Sequence, residues 1–449
     1  MPSAVLTVAT GIAGAFLAGE WDPPLMTRRG QAAVGQRRVW VRDLALAARH
    51  EYPSAPRDRP RELATFLAYC PPLTKAFAAA HRRREPEPRV LRWFVAPTAM
   101  GEARWPVPRL DDVADLREML GLSAGDLAWL SDTRQLEKTV GHERLRHYRY
   151  RWVAKSTGGV RLIEEPKPRL KHIRRVILRE ILDRLPVHPA AHGFCKGRSV
   201  LTYTAGHVGQ SVLVHLDLED FFASVTPGRV FGIFRQCGYP EPVAHVLTGL
   251  VTNSVPTSFS AGAPRPEVSE LLTAHRRLLS RLAQPHLPQG APTSPAIANL
   301  AALGLDRRLA GLAGSSDGSY SRYADDLAFS WPDRRSGEQL ERFLTLVGRI
   351  IAEEGFRVNR LKTSVRRSGE RQRLAGVVVN ERPNIERDEY DLLKAILHNS
   401  ERAGPASQNR GQHPRFRQHL AGRIAWVAEL NPARGERLVA ALERIDWTA

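Results

Sequence analysis

An α+β fold is what this sequence predicts, and three observations predict it. Strict alternation in SVLVHLDLEDFF, residues 211–222, puts Val212, Val214, Leu216 and Leu218 on one face of a strand and His215 and Asp217 on the other. Helical spacing in QLERFLTLVGRIIAEEG, residues 339–355, lines up Leu340, Phe343, Leu344, Val347 and Ile351, with Gly355 as the stop. Strands and helices are then mixed along the chain, down to the apolar run LAGVVVN at 374–380 and a helical end after the loose linker GPASQNRGQHP at 404–414. The helix would cover one face of the sheet and leave Asp217 on the open one.

The segments before that strand follow the same reasoning. SAVLTVATGIAGAFLA, residues 3–18, has no basic flank before it and is short and weakly apolar for a membrane span, so it is expected to be a buried helix, with no membrane involvement. Helical text runs to about residue 80 and ends in HRRREPEPRV, residues 81–90, whose arginines and prolines mark a linker after a helical N-terminal domain spanning 1–85. A helical connector, 86–147, contains LDDVADLREMLGLSAGDLAWLSD at 110–132, two short helices around Gly121 with Ser123 as cap. No basic recognition helix follows, which favours a packing hairpin over a DNA-reading helix-turn-helix. YRYRWVAKSTGGVRLI, residues 148–163, predicts two strands about Ser156 to Gly159, with Lys155 on one side and Arg161 on the other. In RLKHIRRVILREILDRL, residues 169–185, Leu170, Ile173, Ile177, Ile181 and Leu185 form an inward stripe and the arginines are expected outside as a solvated face.

Composition narrows the partners. The 449 residues hold 66 Lys plus Arg against 47 Asp plus Glu, a formal charge of +19, which points to a polyanion such as nucleic acid. Three cysteines, Cys70, Cys195 and Cys237, lie far apart with no CxxC pair, which argues against a disulfide framework and a zinc site and fits a reducing cytoplasm.

YSRYADDLAF, residues 320–329, sets Asp325 and Asp326 side by side at the tip of a hairpin. Turn preference alone explains such a pair. If Asp217 lies on the neighbouring strand, three carboxylates repel by roughly 4 kcal/mol per pair at about 4 Å and an effective dielectric near 20. A hard divalent ion with oxygen ligands relieves that repulsion, and two Mg²⁺ ions about 3.5–4 Å apart are the established clamp for in-line phosphoryl displacement. No histidine or cysteine is expected beside the acids, which disfavours zinc.

The ordered set HGFCKGRSV (192–200), LDLEDFFASV (216–225), LPQGAPTSPAIANL (287–300), YADD (323–326), GFRVNRLKT (355–363) and LAGVVVN (374–380) resembles the reverse transcriptases of bacterial retrons across about residues 148–447. FRQHLAGRIAWVAELNP, residues 416–432, resembles the family's thumb helices. The resemblance implies a right-hand polymerase, with fingers and an antiparallel palm in 148–400 and a helical thumb in 401–449. It further implies that Asp217, Asp325 and Asp326 are the catalytic carboxylates and metal ligands, helped by the carbonyl of Leu218, with two Mg²⁺ ions for which Mn²⁺ can substitute. By the same resemblance Phe222 excludes a 2′-hydroxyl, Lys155 and Arg161 hold the dNTP triphosphate, and Gln289 and Gly290 border nucleotide and template. Lys362 would protonate pyrophosphate, and LAGVVVN would grip the primer end. The implied partners are a structured noncoding RNA serving as template and primer, the DNA product, dNTPs and an effector protein of an antiviral system.

Two departures stand out. Where the family carries Asn-Ala-x-x-His this chain reads YTAGH, keeping only His207, and where the family reads Val-Thr-Gly it has Leu374, Ala375 and Gly376. Both elements go with recognition of the retron's own RNA and with priming from an internal 2′-hydroxyl, so a bacterial reverse transcriptase of defence-associated or group II intron type, without a branched product, stays open. An RNA-dependent RNA polymerase and a catalytically silent RNA-binding scaffold are the further alternatives, and the presence of all three aspartates with Phe222, Gln289 and Lys362 speaks against the scaffold.

Overall fold

The computed structural model describes residues 3–35, 38–155 and 158–447. The chain divides into two compact units, Met1–Leu185 with Val225–Ser294, and Pro186–Ser224 with Pro295–Ala449.

The first unit opens with five helices, Ser3–Leu17, Pro23–Val34, Val39–Glu51, Pro60–Tyr69 and Pro71–Arg83. Their shared core includes Val8, Ile12, Phe16, Met26, Leu44, Leu67 and Leu73. The 3–18 segment is thus the buried helix its composition predicts, and among the described residues no helix is long and apolar enough to cross a membrane. Glu241, at the start of helix Glu241–Val251, accepts the backbone N–H groups of Arg61 at 2.6 Å and Glu62 at 3.3 Å. A carboxylate thereby serves the orphan donors at the N-terminus of Pro60–Tyr69 and ties the first helices to the rest of the unit. Helices Val113–Met119 and Ala124–Ser131, separated by a turn at Gly121, both pack on Glu241–Val251. Ser123 caps the second of them by accepting from Asp126 N at 3.1 Å.

Strands β1 (Tyr148–Ala154) and β2 (Val160–Pro166) make an antiparallel ribbon in register Tyr150 with Glu164 and Val153 with Arg161. The turn read at Ser156 to Gly159 lies partly outside the described residues. Helix Pro168–Glu180 follows, and Leu170, Ile173, Ile177, Ile181 and Leu185 are buried as the spacing requires. Arg174 corrects the all-outside expectation for its arginines: it is fully buried. It donates through Nε to Leu250 O at 2.8 Å and through Nη2 to Thr252 O at 3.2 Å and to the Tyr148 hydroxyl. Leu250 and Thr252 lie at the end of Glu241–Val251, where orphan carbonyls and the dipole favour a cation.

The second unit is built on a four-stranded antiparallel sheet in the order β4-β5-β3-β6, with β3 Val212–Asp217, β4 Ser319–Tyr323, β5 Asp326–Trp331 and β6 Ser364–Arg367. Helix Gly337–Glu353, opened by a Ser336–Gln339 capping box, covers one face: Phe343 packs edge-on to Phe329 at 5.2 Å and to Trp331 at 4.8 Å. The opposite face is less open than alternation implied. Leu213 on that side is buried in a second core with Tyr203, Leu374, Val377, Leu393 and Leu420, which joins the sheet to hairpin β7 (Arg373–Leu374) and β8 (Val377–Val378) and to helices Arg387–Ala403, Phe416–Leu430 and Pro432–Glu443. At the end of β3 His215 stays partly exposed, but Asp217 is buried, which corrects its placement on an open face.

Candidate active site

Antiparallel pairing sets Asp217, the last residue of β3, opposite Asp326, the first of β5. Leu218 N donates to Asp325 O at 2.9 Å, which pins the aspartate turn to the chain leaving β3. The pairing of Tyr323 with Asp326 makes Ala324 and Asp325 a tight turn, and Ala324 takes the left-handed φ of 57°. A residue with a Cβ pays roughly 1–2 kcal/mol for that conformation. A buried frame holds it: Arg322 donates to Ala324 O at 3.0 Å and grips both oxygens of Asp306 at 2.6 and 2.7 Å. Arg322 and Asp306 are both fully buried, a paired arrangement that makes a buried charge tolerable. Asn299 links the frame to Gly193, accepting from Arg322 at 2.9 Å and donating to Gly193 O at 2.9 Å. A Cβ on Gly193 would lie 2.5 Å from Ala324 N, so the glycine of HGFCKGRSV is there for close approach.

The carboxylates have specific neighbours. Asp217, 3% exposed, accepts from Asn359 Nδ2 at 2.9 Å and from Lys362 Nζ at 2.7 Å. His215 Nε2 donates to Asp326 Oδ1 at 2.9 Å, so a histidine does stand beside the acids, contrary to the sequence expectation. Two residues apart on one strand face, His215 and Asp217 were bound to share a side, but only the β3–β5 register reveals the partner. Burial first, then the negative charges of Asp217 and Asp326, push the Asp325 carboxyl up to about 6. Burial works against the Lys362 ammonium, but the hydrogen bond and charge of Asp217 outweigh it and hold it above the ordinary lysine value. As the side chains stand, no three His, Cys, Asp or Glu among the described residues form a ready ligand set. Lys362 Nζ and His215 Nε2 each occupy one carboxylate oxygen of these acids.

Around the acids lie aromatic rings. Phe222 is half-buried, its centroid 5.7 Å from the buried Phe221 and 6.2 Å from the exposed Phe194. Beyond Lys362, a cleft of about 570 Å³ is lined by His215, Asp326, Arg366, Arg373, Ala375 and Gly376, the last two forming the β7–β8 turn at positive φ. Within YTAGH, Ala205 and Gly206 are exposed, but Tyr203 and Thr204 are fully enclosed, and the buried His207 has Nδ1 and Nε2 2.7 Å from Ser330 Oγ and Ser321 Oγ.

The remaining predicted residues belong to the first unit. Arg161 is exposed on β2, and Lys155 closes the ribbon turn, its N–H donating to Gly159 O at 2.7 Å. The Gln289 loop lies along the same strand, since Glu164 N donates to Gln289 O at 2.7 Å. Gly290 has φ 118°, and a Cβ there would meet Glu164 O and Ile163 Cγ2 at 3.3 Å. Glu164 and His286, each 1% exposed, form an ion pair at 2.9 Å beneath the loop, and Asn253 Nδ2 donates to the other Glu164 oxygen at 2.7 Å.

Comparison with known proteins bears on the same residues. Residues 153–390 match the family described as reverse transcriptase (RNA-dependent DNA polymerase), a span that contains every predicted site residue. The chain is 43% identical over 336 residues to the retron Mx65 reverse transcriptase of Myxococcus xanthus, an alignment covering 75% of this chain and 72% of that protein. It is 38% identical over 354 residues to the retron Mx162 reverse transcriptase of the same organism, covering 76% and 68%. It is also 30% identical over 288 residues to the retron Ec86 reverse transcriptase of Escherichia coli, covering 64% and 77%. With a matching family span of more than half its length and relatives of this identity, the chain belongs to the retron-type reverse transcriptases of bacteria and is an RNA-directed DNA polymerase.

Proposed function

We propose that this polymerase copies a structured noncoding RNA into DNA by nucleotidyl transfer at Asp217, Asp325 and Asp326, as the enzyme of a cytoplasmic retron antiviral system with an effector partner. The observation that carries the reading is the register that faces Asp217 with Asp326 and ties Leu218 N to Asp325 O. In this reading residues 148–400 are fingers and palm, 401–449 the thumb, 1–85 a separate N-terminal domain and 86–147 its connector.

The donor set fits hard divalent cations: three carboxylates supply acidic oxygens, and burial with its two acidic neighbours pushes Asp325 up to about 6. Two Mg²⁺ ions, or Mn²⁺ in their place, would be held by Asp217, Asp325 and Asp326 with the Leu218 carbonyl. When bound they supply Lewis-acid stabilisation of charge on the attacking and departing oxygens. The protein's own groups do the rest. Lys155 and Arg161 neutralise and orient the triphosphate, for which fixed positive charge and forked donors suit phosphate oxygens. Gln289 and Gly290 flank the nucleotide and template, and Phe222 closes the space a 2′-hydroxyl would need. Lys362 holds a proton on Nζ for the departing pyrophosphate.

The decisive experiment extends oligo(dT) on poly(rA) with dTTP and Mg²⁺. Wild-type protein extends the primer and Asp325→Asn does not, while binding the same duplex as tightly. Equal extension by both removes the aspartates from the mechanism. Sequencing the nucleic acid that copurifies with the protein then identifies the product. DNA joined to an RNA guanosine through a 2′ linkage supports retron synthesis despite the YTAGH and LAG departures, and linear unlinked cDNA supports the defence-associated or group II intron-like alternative.

A further inference from the structure

Phe194 combines three properties that packing does not explain. Its backbone is left-handed, with φ 61°, and it is the one aromatic residue in that conformation among the described residues. A bulky L residue avoids this region unless something beyond local preference requires it. Its side chain is nonetheless in solvent, 55% exposed, so burial does not compensate the strain. It stands beside the reactive centre, its ring centroid 6.2 Å from Phe222 and 6.5 Å from Tyr323, the residue that enters the aspartate turn.

The backbone explains how the ring is thrown outward. Gly193 is pressed against Ala324 N, and its carbonyl is fixed by Asn299 at 2.9 Å. With the chain anchored there, the left-handed turn at residue 194 directs the phenyl group away from the core. Lys196, two residues on in the same loop, is also exposed. An exposed flat apolar face held at a fixed place can receive a base, and stacking is tolerant of base identity because every base has a π-face.

We propose that Phe194 is a stacking platform for a nucleobase at the polymerase centre, contributed by the template strand or by the incoming nucleotide. The inference rests on the reading that the three aspartates form that centre. Strain and exposure at Phe194 are then the cost of presenting a rigid ring at a fixed place beside Phe222.

The test uses the full chain with poly(rA)/oligo(dT), dTTP and Mg²⁺, comparing Phe194→Leu, Phe194→Tyr and Phe194→Trp. Leucine keeps apolar bulk and loses the flat face; tyrosine and tryptophan keep it. Phe194→Leu should weaken binding roughly 5- to 150-fold, the range equivalent to about 1–3 kcal/mol of lost stacking. Its thermal midpoint should match wild type, and the two aromatic variants should stay near wild-type activity. A rise in KM for dTTP assigns the base to the incoming nucleotide, and a rise in Kd for the duplex assigns it to the template; either supports the platform. Phe194→Leu working like wild type overturns it, as does loss of activity in step with loss of thermal stability. Asp325→Asn run in parallel keeps the outcomes apart: if it still extends primer, the catalytic reading itself has failed, whatever Phe194 does.

Discussion

Lys362 Nζ lies 2.7 Å from Asp217 Oδ2, and Asn359 Nδ2 takes the other oxygen of the same carboxylate at 2.9 Å. An ammonium in that place and a divalent ion compete for one oxygen. Lys362→Met should therefore lower the Mg²⁺ concentration needed for half-maximal extension, because a like charge has gone. It should also reduce kcat by about 100-fold or more, the usual cost of losing a positioned general acid. Single-turnover extension across a Mg²⁺ titration measures both. A variant that needs more Mg²⁺ would contradict the competition for that oxygen, and one that keeps its kcat would contradict the general-acid role.

His207 is the part of YTAGH that matches the family, and its surroundings give it a structural task. Ser321 Oγ donates to Tyr203 O at 3.0 Å, so it is free only to accept from His207 Nε2–H, which leaves Nδ1 to accept from Ser330 Oγ. The ring is thus neutral, bridging β4 and β5. Burial first, then the nearby His192, lowers its pKa to about 4. The unfolded chain takes up a proton at about 6.5, so this contribution is complete above that pH and is lost as pH falls towards the folded value. The loss is roughly 3 kcal/mol at the acid end. Denaturant melts between pH 7.5 and 4.5 should show the decline in wild type and a flatter dependence in His207→Gln. Parallel curves would refute it.

Local periodicity made part of this site legible. Alternation placed Asp217 on its strand face, turn chemistry placed Asp325 at a tip although Asp326 already belongs to β5, and the 340–351 stripe identified the helix behind them. Their supports were not legible, because each depends on contacts between distant segments. His215 meets Asp326 only through β3–β5 register. Arg174 looked like one more solvated arginine, and its burial depends on carbonyls at the end of a helix some seventy-six residues away. Arg322 and Asp306 form a pair that no local pattern announces. Gly193 alone had a local signal, a glycine inside the HGFCKGRSV motif.

That glycine gives a direct prediction about turn geometry. A methyl at 193 would sit 2.5 Å from Ala324 N, against backbone that Arg322 already holds. Gly193→Ala should displace the aspartate turn and cut extension sharply, by a factor of about 100 if the reacting groups move by an ångström. Arg322→Lys should be worse for stability, losing the two-pronged grip on buried Asp306 at a cost of about 3–5 kcal/mol. Extension rates and thermal melts of the two variants separate the effects. Full activity in Gly193→Ala would show that the turn tolerates displacement.

The Glu164–His286 pair predicts the opposite pH trend in the first unit. His286 Nδ1 faces Gln284 O at 2.7 Å and Nε2 faces Glu164 Oε1 at 2.9 Å, so both nitrogens must donate and the ring is an imidazolium. Burial works against that charge, but Glu164 outweighs it and raises the pKa. A raised value means that the stability is complete below the unfolded pKa of about 6.5 and is lost as pH climbs through the folded one. Glu164→Gln should weaken the fold by about 3–5 kcal/mol at neutral pH, since it leaves a buried cation unpaired. Glu164→Gln with His286→Gln, which restores a neutral hydrogen-bonded pair, should recover much of that loss and abolish the alkaline decline. Because Glu164 N carries the Gln289 carbonyl at 2.7 Å, the single variant should also raise KM for dTTP more than it lowers kcat. Melts from pH 6 to 9 with steady-state kinetics test both parts; a single variant as stable as wild type, or a kcat effect without a KM effect, would count against the pair as the support of that loop.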